Sequence, residues 1–198
     1  MLDDWVAGKL SEEQLLKQSR WREAWGYDPA LYMPIFHFAR MNRIPIRALN
    51  IAPALRRRLA REGFDAVPAD ERHGIAPPSA PRRAYRQRLR RIYDAHPAGQ
   101  VFDTFLQAQL TWDAAMADAL AGASDDDRLV VGLMGTGHLR HNNGVAHQLA
   151  QHGINNPMTL LPLASDRCQP ATPGLADARY ALEAAPQPID FMERLEIR

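Results

Sequence analysis

Apolar side chains recur at helical spacing over most of the chain, and capping residues mark where several helices begin. Ser11 and Gln14 have the S-x-x-Q form of a capping box, and Asp28 followed by Pro29 suits the start of a second helix. Gly63 stands where the helix predicted for "PALRRRLAREGF" should end. Three further helices are predicted over "RRAYRQRLRRIYDAH", over roughly residues 101–121 and over residues 145–152.

Shorter apolar runs between these helices predict strands. "IPIRALN" ends at Asn50, "MTLLPL" follows the last helix, and "RYALEA" predicts an edge strand. The run from Leu129 to Met134 has no polar alternation, which is typical of a parallel strand buried on both faces. We therefore expect an α/β fold, in which a mostly parallel sheet is flanked by helices and joined by a smaller helical subdomain. Residues 1–198 are expected to form a single domain, with residues 77–100 in its helical appendage.

Composition and charge exclude several classes of protein. At 198 residues and 46% hydrophobic, the chain is long and apolar enough to bury a core. Its formal net charge of +1 gives no general attraction to nucleic acid or membranes. Cys168 is the only cysteine, which excludes an intrachain disulfide and a thiolate metal cluster. No stretch approaches the ~20 apolar residues that span a bilayer, and the acidic N-terminus lacks a signal-peptide pattern.

One turn carries candidate chemistry. The apolar run ends at Gly135, Gly137 and His138, just before the next helix. Ligands of open parallel sheets bind beyond the carboxyl ends of the strands, so His138 is expected to face such a crevice. A histidine that caps the following helix fits the same pattern. The turn lacks the lysine and the third glycine of nucleotide-binding loops, so nucleotide binding is not indicated.

The long helix that precedes this turn has a polar residue on its apolar face. Gln109 falls in line with Phe105 and Trp112, and Asp113 lies one turn further on, at the margin of that face. A buried amide without partners costs about 1–3 kcal/mol. Gln109 is therefore expected either to bond to a sheet carbonyl in the core or to face the same crevice as His138, and the spacing does not separate these alternatives.

Three blocks of sequence follow one another in an order typical of one family. The blocks are "YMPIFHFARMNRIPIRALNIAPALRRRLAREGFDAV", "FLQAQLTWDAAMADAL" and "VVGLMGTGHLRHNNGVAHQL". Together they resemble the ChaN family of haem-binding iron-uptake proteins, part of the Tiki, TraB and erythromycin-esterase superfamily. The resemblance places six residues in the crevice of that superfamily: Asn50, Gln109, Asp113, Gly135, Gly137 and His138.

The resemblance implies a parallel sheet with a small helical domain, and haems held face to face between two subunits with a tyrosine as axial ligand. It also implies a homodimer, a periplasmic or lipid-anchored location, and outer-membrane or periplasmic haem-transport components as partners. The family pattern opens with a strand and a Gly-Glu-x-His motif, to which nothing in this chain corresponds. We therefore expect an N-terminally shortened crevice that lacks half of the groups used in metal-dependent chemistry.

The arginine-rich helix before residue 96 supplies the candidate haem-binding residues. Phenolate ligates ferric haem in some proteins, which makes Tyr93 the first candidate ligand and Tyr85 the second. His96 lies just past the end of this helix, and Arg86 and Arg90 suit the two haem propionates. The same pattern also describes a solvated arginine face whose tyrosines pack inward.

We thus expect a non-catalytic haem-binding protein of haem and iron uptake, with no nucleic-acid partner. The alternative is a metal-dependent hydrolase of the same superfamily, in which His138 in the Gly135 turn acts as a general base or ligates a divalent metal. A catalytic zinc site generally takes three protein ligands, and the missing first motif would have supplied the others. A nucleic-acid interaction through the six arginines between residues 82 and 91 ranks third.

Overall fold

The computed structural model describes residues 1–95, 101–124, 128–164 and 172–182. These residues fall into two compact units, of which the first is Met1–Ala48 and the second begins at Leu49. Each unit has buried hydrophobic clusters of its own. No helix within the described residues is long and apolar enough to cross a membrane.

The first unit is helical. It contains α1 (Leu2–Val6), α2 (Glu12–Gln18), α3 (Trp21–Ala24) and α4 (Met33–Met41). The predicted capping box is confirmed, because the Ser11 hydroxyl accepts a hydrogen bond from the Gln14 backbone N–H and the Gln14 side chain accepts one from the Ser11 N–H. Asp28 also caps as expected, although it caps a single 3₁₀ turn, Pro29–Leu31, that leads into α4. The buried core of this unit is formed by Trp5, Leu15 and Met33.

The second unit is organised around one long helix. Its elements are α5 (Pro53–Glu62), α6 (Arg83–Ala95), α7 (Phe102–Ala121), α8 (Val145–Leu149), β1 (Leu160–Ala164) and β2 (Ala178–Leu182). Helix α7 packs against α5, α6 and α8, and hydrophobic clusters lie along each of these contacts. Because α7 has neighbours on several sides, it buries residues well beyond the single apolar stripe that its sequence predicts.

Helix α5 ends at the predicted glycine, and this end is tied to α7. Gly63 has a φ of +85°, a backbone angle that glycine adopts without steric cost. The side-chain carbonyl of Gln107 accepts a hydrogen bond from the Phe64 N–H at 2.8 Å. A Cβ added to Gly63 would lie 2.6 Å from the same oxygen of Gln107. Glycine therefore provides both the turn and the space for this contact.

The sheet is much smaller than the sequence predicts. Strands β1 and β2 run parallel, with Leu160 opposite Ala178, and they form the only strand ladder among the residues that the structure describes. Helices do flank this small sheet, so mixed helix and strand content is confirmed. The prediction of a mostly parallel sheet is wrong for the described part of the chain, because the runs ending at Asn50 and Met134 form no ladder there.

The run from Leu129 to Met134 was expected to be a buried strand, and this expectation is wrong. Leu129 is 91% exposed, Val131 69% and Leu133 51%. An apolar run becomes a buried strand only when neighbouring strands and helices cover it, and periodicity alone does not supply them. Met134 still packs against the cluster between α7 and α8, as does Leu49 from the run that ends at Asn50. Both runs therefore end beside the same pair of helices.

Candidate functional site

Three side chains from separate segments form a buried hydrogen-bonded trio. Asp113 on α7 has no exposed surface. Its Oδ2 accepts a hydrogen bond of 2.5 Å from the hydroxyl of Tyr85 on α6, and its Oδ1 lies 2.7 Å from Nδ1 of His138. Tyr85 is 1% exposed, whereas the His138 side chain is 13% exposed. The histidine is thus the member of the trio that reaches the protein surface.

The approach of His138 to α7 depends on a glycine in the following loop. His138 closes the 3₁₀ turn Thr136–His138, so the predicted turn is confirmed. A Cβ added to Gly144 would lie 2.4 Å from the backbone oxygen of His138 and 3.1 Å from Oδ1 of Asp113. A side chain cannot be accommodated at the first of these distances without movement of the backbone. Glycine at this position therefore allows the loop to pass over the trio.

The geometry assigns the protons of the trio. The Tyr85 hydroxyl donates to the Asp113 carboxylate, and His138 donates from Nδ1 to the other carboxylate oxygen. Nε2 of His138 makes no hydrogen bond to a described residue, and in a neutral imidazole with its proton on Nδ1 this nitrogen would carry the lone pair. Burial, together with the negative charge of Asp113, raises the pKa of the Tyr85 phenol far above its usual value. Tyr85 is therefore a permanent hydrogen-bond donor at physiological pH.

The raised pKa of Tyr85 predicts a loss of stability in alkali. The unfolded phenol ionises near pH ~10, whereas the folded phenol keeps its proton, so unfolding is favoured increasingly as the pH rises further. The stabilisation is fully present below pH ~10 and falls above it by up to about 1.4 kcal/mol per pH unit. Urea unfolding between about pH 9 and pH 11 should show a flatter dependence for Tyr85→Phe than for wild type. Tyr180→Phe, at an exposed position, is the control, and equal slopes for wild type and Tyr85→Phe would contradict the prediction.

Trp112 contacts the His138 ring, and two arginines lie on Trp112 and on the turn before His138. The rings of Trp112 and His138 meet edge to face, with centroids 4.7 Å apart. The Arg56 guanidinium lies 4.5 Å from the centroid of the Trp112 ring, and Arg88 donates a hydrogen bond of 2.5 Å to the carbonyl oxygen of Gly137. Nε1 of Trp112 and Nε of Arg88 are buried without a hydrogen-bond partner among the described residues. Both N–H groups are thus exceptions to the usual pairing of buried donors in folded proteins.

Most of the sequence matches one protein family. The family model described as "Haem-binding uptake, Tiki superfamily, ChaN" matches residues 1–149. The chain belongs to the ChaN family. The ChaN match includes Tyr85, Asp113 and His138 and ends at the last residue of α8. No curated protein and no solved structure was found to match the chain.

The crevice residues suggested by the ChaN resemblance are only partly brought together. Asp113 was expected at the margin of an apolar face and is instead the buried centre of the trio. Gln109 is half-buried, and its side chain makes no hydrogen bond to a described residue. Gly135 and Gly137 are exposed in the turn beside His138, and Asn50 is exposed at the end of its extended run. Asp113 is named from sequence as a crevice residue, but its complete burial and its two hydrogen-bond partners are not predicted from its position on the helix.

The haem-binding candidates on α6 have different environments. Tyr85 is unavailable as an exposed ligand, because it is buried and donates to Asp113. Tyr93 is half-buried and packs against the rings of Phe102 and Phe105 at 5.5 and 5.7 Å. Two exposed ion pairs hold the predicted propionate partners, Arg86 with Asp103 and Arg90 with Asp94. His96 lies outside the described residues. The assignment of Tyr93, His96, Arg86 and Arg90 to haem stays a prediction.

Metal binding and a polar cleft are two further points that concern possible sites. Within the described ranges, no three His, Cys, Asp or Glu side chains are grouped so that they could hold a metal ion. A polar cleft of about 370 Å³ has Arg82, Asn142 and Asp177 in its wall. Asp177 accepts hydrogen bonds from the backbone and hydroxyl of Thr159, and these bonds hold its pKa below the usual value. Asp177 and Thr159 thus join the residues that immediately precede β1 and β2.

Proposed function

We propose that this ChaN protein binds haem for haem or iron uptake and does not catalyse a reaction. The family match over residues 1–149 carries the proposal, because the family is described by haem-binding uptake. The matched region contains all the residues around His138 that the site is built from. We therefore propose that haem binds at the His138 surface, which consists of His138, Trp112, Arg56 and Arg88.

The chemistry of the residues at this surface fits haem. Haem requires an apolar surface, a ligand for the iron and cations for its two propionates. The surface provides a histidine with a free ring nitrogen, the ring of Trp112, and the guanidinium groups of Arg56 and Arg88. Arginine is well matched to carboxylates because its planar fork can donate two parallel hydrogen bonds. When bound, haem would supply a redox-active iron centre.

Absorbance titration with ferric haem tests the proposal. We expect saturable binding by the wild-type protein and at least about tenfold weaker binding by an Arg56→Met, Arg88→Met double variant, since hydrogen bonds to charged groups contribute about 1.5–3 kcal/mol. Haem dimethyl ester has no free propionates, so wild type and this variant should bind it equally. An Arg86→Met, Arg90→Met variant is the matched control, because both arginines already pair with exposed carboxylates. If the control is the weaker binder, the propionates lie on α6 as the sequence predicted. Absence of saturable binding by wild type would reject the function.

Assembly and location are further parts of the proposal. We also propose a homodimer that holds haem between its subunits, and a periplasmic or lipid-anchored location, as the resemblance to the ChaN family implies. The same resemblance implies periplasmic or outer-membrane haem-transport components as partners. Sedimentation of the protein with and without haem tests the dimer, which we expect to be stabilised by haem. A monomer at every haem concentration would argue against a shared site.

The second candidate function is hydrolysis at His138. The contact between Nδ1 of His138 and the Asp113 carboxylate is the observation that favours it, because a carboxylate orients a histidine general base in the same way in hydrolytic triads. A bound divalent metal has less support, since no metal-binding group is found within the described ranges. Turnover of ester or peptide substrates that is abolished in His138→Ala, with haem binding intact, would show that His138 serves hydrolysis and not haem binding.

A further inference from the structure

We propose that residues 129–134 are an interaction strand, which pairs edge to edge and antiparallel with the same residues of a second copy of the chain. The inference goes beyond haem binding and does not depend on it. Three sets of observations carry it: the unpaired backbone of this run, the alternation of its side chains, and its uncharged, self-complementary sequence.

The backbone of the run has no hydrogen-bond partner. None of the six residues donates or accepts a hydrogen bond through its backbone to any described residue. The run also belongs to no ladder in the part of the chain that the structure describes. Peptide groups that are left unpaired along a strand are a template for pairing with another chain, whose main chain supplies the missing hydrogen bonds.

The side chains of the run alternate between two faces. The even-numbered residues are half-buried, whereas Leu129, Val131 and Leu133 are 91%, 69% and 51% exposed. On the inner face, a Cβ added to Gly132 would lie 3.0 Å from Cδ2 of Leu120 on α7. A period of two is that of a β-strand. The run therefore closes one face against α7 and leaves the other face apolar and open.

The open face is complementary to its own copy. When the two strands pair antiparallel with Val131 opposite the partner's Val131, Leu129 lies opposite the partner's Leu133. Apolar side chains then meet at all three open positions, and cross-strand pairs of this kind stabilise sheets. A two-fold axis at Val131 relates the two strands, so the same contact is made twice and the assembly closes as a dimer.

The composition of the run favours a second copy as the partner. Its sequence, LVVGLM, contains no charged residue and no proline. Exposed edge strands are normally protected from pairing by lysine, proline or an inward-pointing charge, and this run has none of these. A symmetric pair brings each residue close to its own kind, which is unfavourable for a charged strand and free of repulsion for this one.

Sedimentation of the haem-free protein over a range of concentrations, combined with hydrogen exchange, is the direct test. We expect a reversible equilibrium between monomer and dimer, and protection of the amides of residues 129–134 that increases with protein concentration. Val131→Lys places two lysines opposite each other at the axis, so its dimer dissociation constant should be at least about tenfold higher. Met41→Lys is the matched control, because Met41 is 78% exposed on α4, and it should dimerise as wild type does.

A mixture of two variants tests the register of the pair. Val131→Glu alone should dimerise as weakly as Val131→Lys. An equimolar mixture of the two should associate at least about tenfold more tightly than either alone, because lysine then lies opposite glutamate. Both substitutions change an exposed side chain, and circular dichroism with urea unfolding verifies that each variant folds as wild type does.

The results that would overturn the proposal are distinct. A wild type that stays monomeric at every concentration would assign the open face to a different protein chain. Equal dimerisation of Val131→Lys and wild type, or equal exchange of the amides in monomer and dimer, would place the interface elsewhere. Growth beyond the dimer, or no gain on mixing the two variants, would contradict the symmetric pair at Val131. Association that appears only with haem would overturn the strand pair and support the haem-held dimer of the proposed function.

Discussion

Replacement of Asp113 by alanine is expected to lower the free energy of unfolding by about 3 kcal/mol, because it leaves two buried groups without a partner at about 1–3 kcal/mol each. The Tyr85 hydroxyl loses its acceptor within a fully buried environment, and Nδ1 of His138 loses the carboxylate that holds it. Water cannot easily replace the carboxylate here, because Asp113 has no exposed surface. Urea unfolding at neutral pH measures the difference directly.

A matched control for this variant lies on the same helix. Asp118 also belongs to α7, but its side chain is exposed. Asp118→Ala should change the unfolding free energy by no more than about 0.5 kcal/mol. The Tyr85→Phe variant should fall between the two, because it removes one hydrogen bond and leaves the carboxylate bound to His138. A stability of Asp113→Ala within about 1 kcal/mol of wild type would show that the trio does not stabilise the fold.

Replacement of Gly144 by alanine is expected to destabilise the protein by about 2 kcal/mol, within the range for overpacked sites. The added methyl group would lie 2.4 Å from the backbone oxygen of His138, and a backbone atom cannot move aside as a flexible side chain can. We therefore expect the loop to shift and the bond between His138 and Asp113 to lengthen. Urea unfolding gives the stability, and the proton resonance of the imidazole Nδ1–H reports the bond.

Gly137 provides the control for this substitution. It lies in the turn beside His138, and a Cβ at this position would meet no atom within 4 Å. Gly137→Ala should therefore leave both the stability and the Nδ1–H resonance close to those of wild type. If Gly144→Ala is as stable as Gly137→Ala and retains the resonance, the loop has room that the structure does not indicate.

Local features of the fold were predicted well from sequence, because they depend on residues close together in the chain. The Ser11 capping box, the end of α5 at Gly63 and the extent of α7 all follow from short-range capping and helical periodicity. The turn at His138 is also a local signal, since glycines follow an apolar run. The family was identified from blocks whose order is a property of the sequence itself.

The partners of these local features were not predictable, because they lie far apart in the chain. Tyr85 and Asp113 are separated by 28 residues, and helical spacing on α7 says nothing about what α6 brings to it. The same spacing places Gln109 on the apolar face of α7 and Asp113 only at its margin. It therefore predicts a buried Gln109, whereas Asp113 is the residue that is fully buried. The strand prediction for residues 129–134 was wrong for the same reason. A strand forms only when a second strand pairs with it, and the sequence of the run does not contain that partner.

The wide separation of the trio along the chain has a consequence for the order of folding. The bond from Asp113 to Tyr85 closes a loop of 28 residues, and the bond to His138 closes a second loop of 25. Loop closure costs chain entropy before any contact repays it, so these bonds are expected to form after α6 and α7 have docked. Contacts that are absent from the transition state affect mainly the rate of unfolding. The hydrogen bonds of the trio should therefore form late in folding, and their main effect should be to lower the unfolding rate and lengthen the lifetime of the native state.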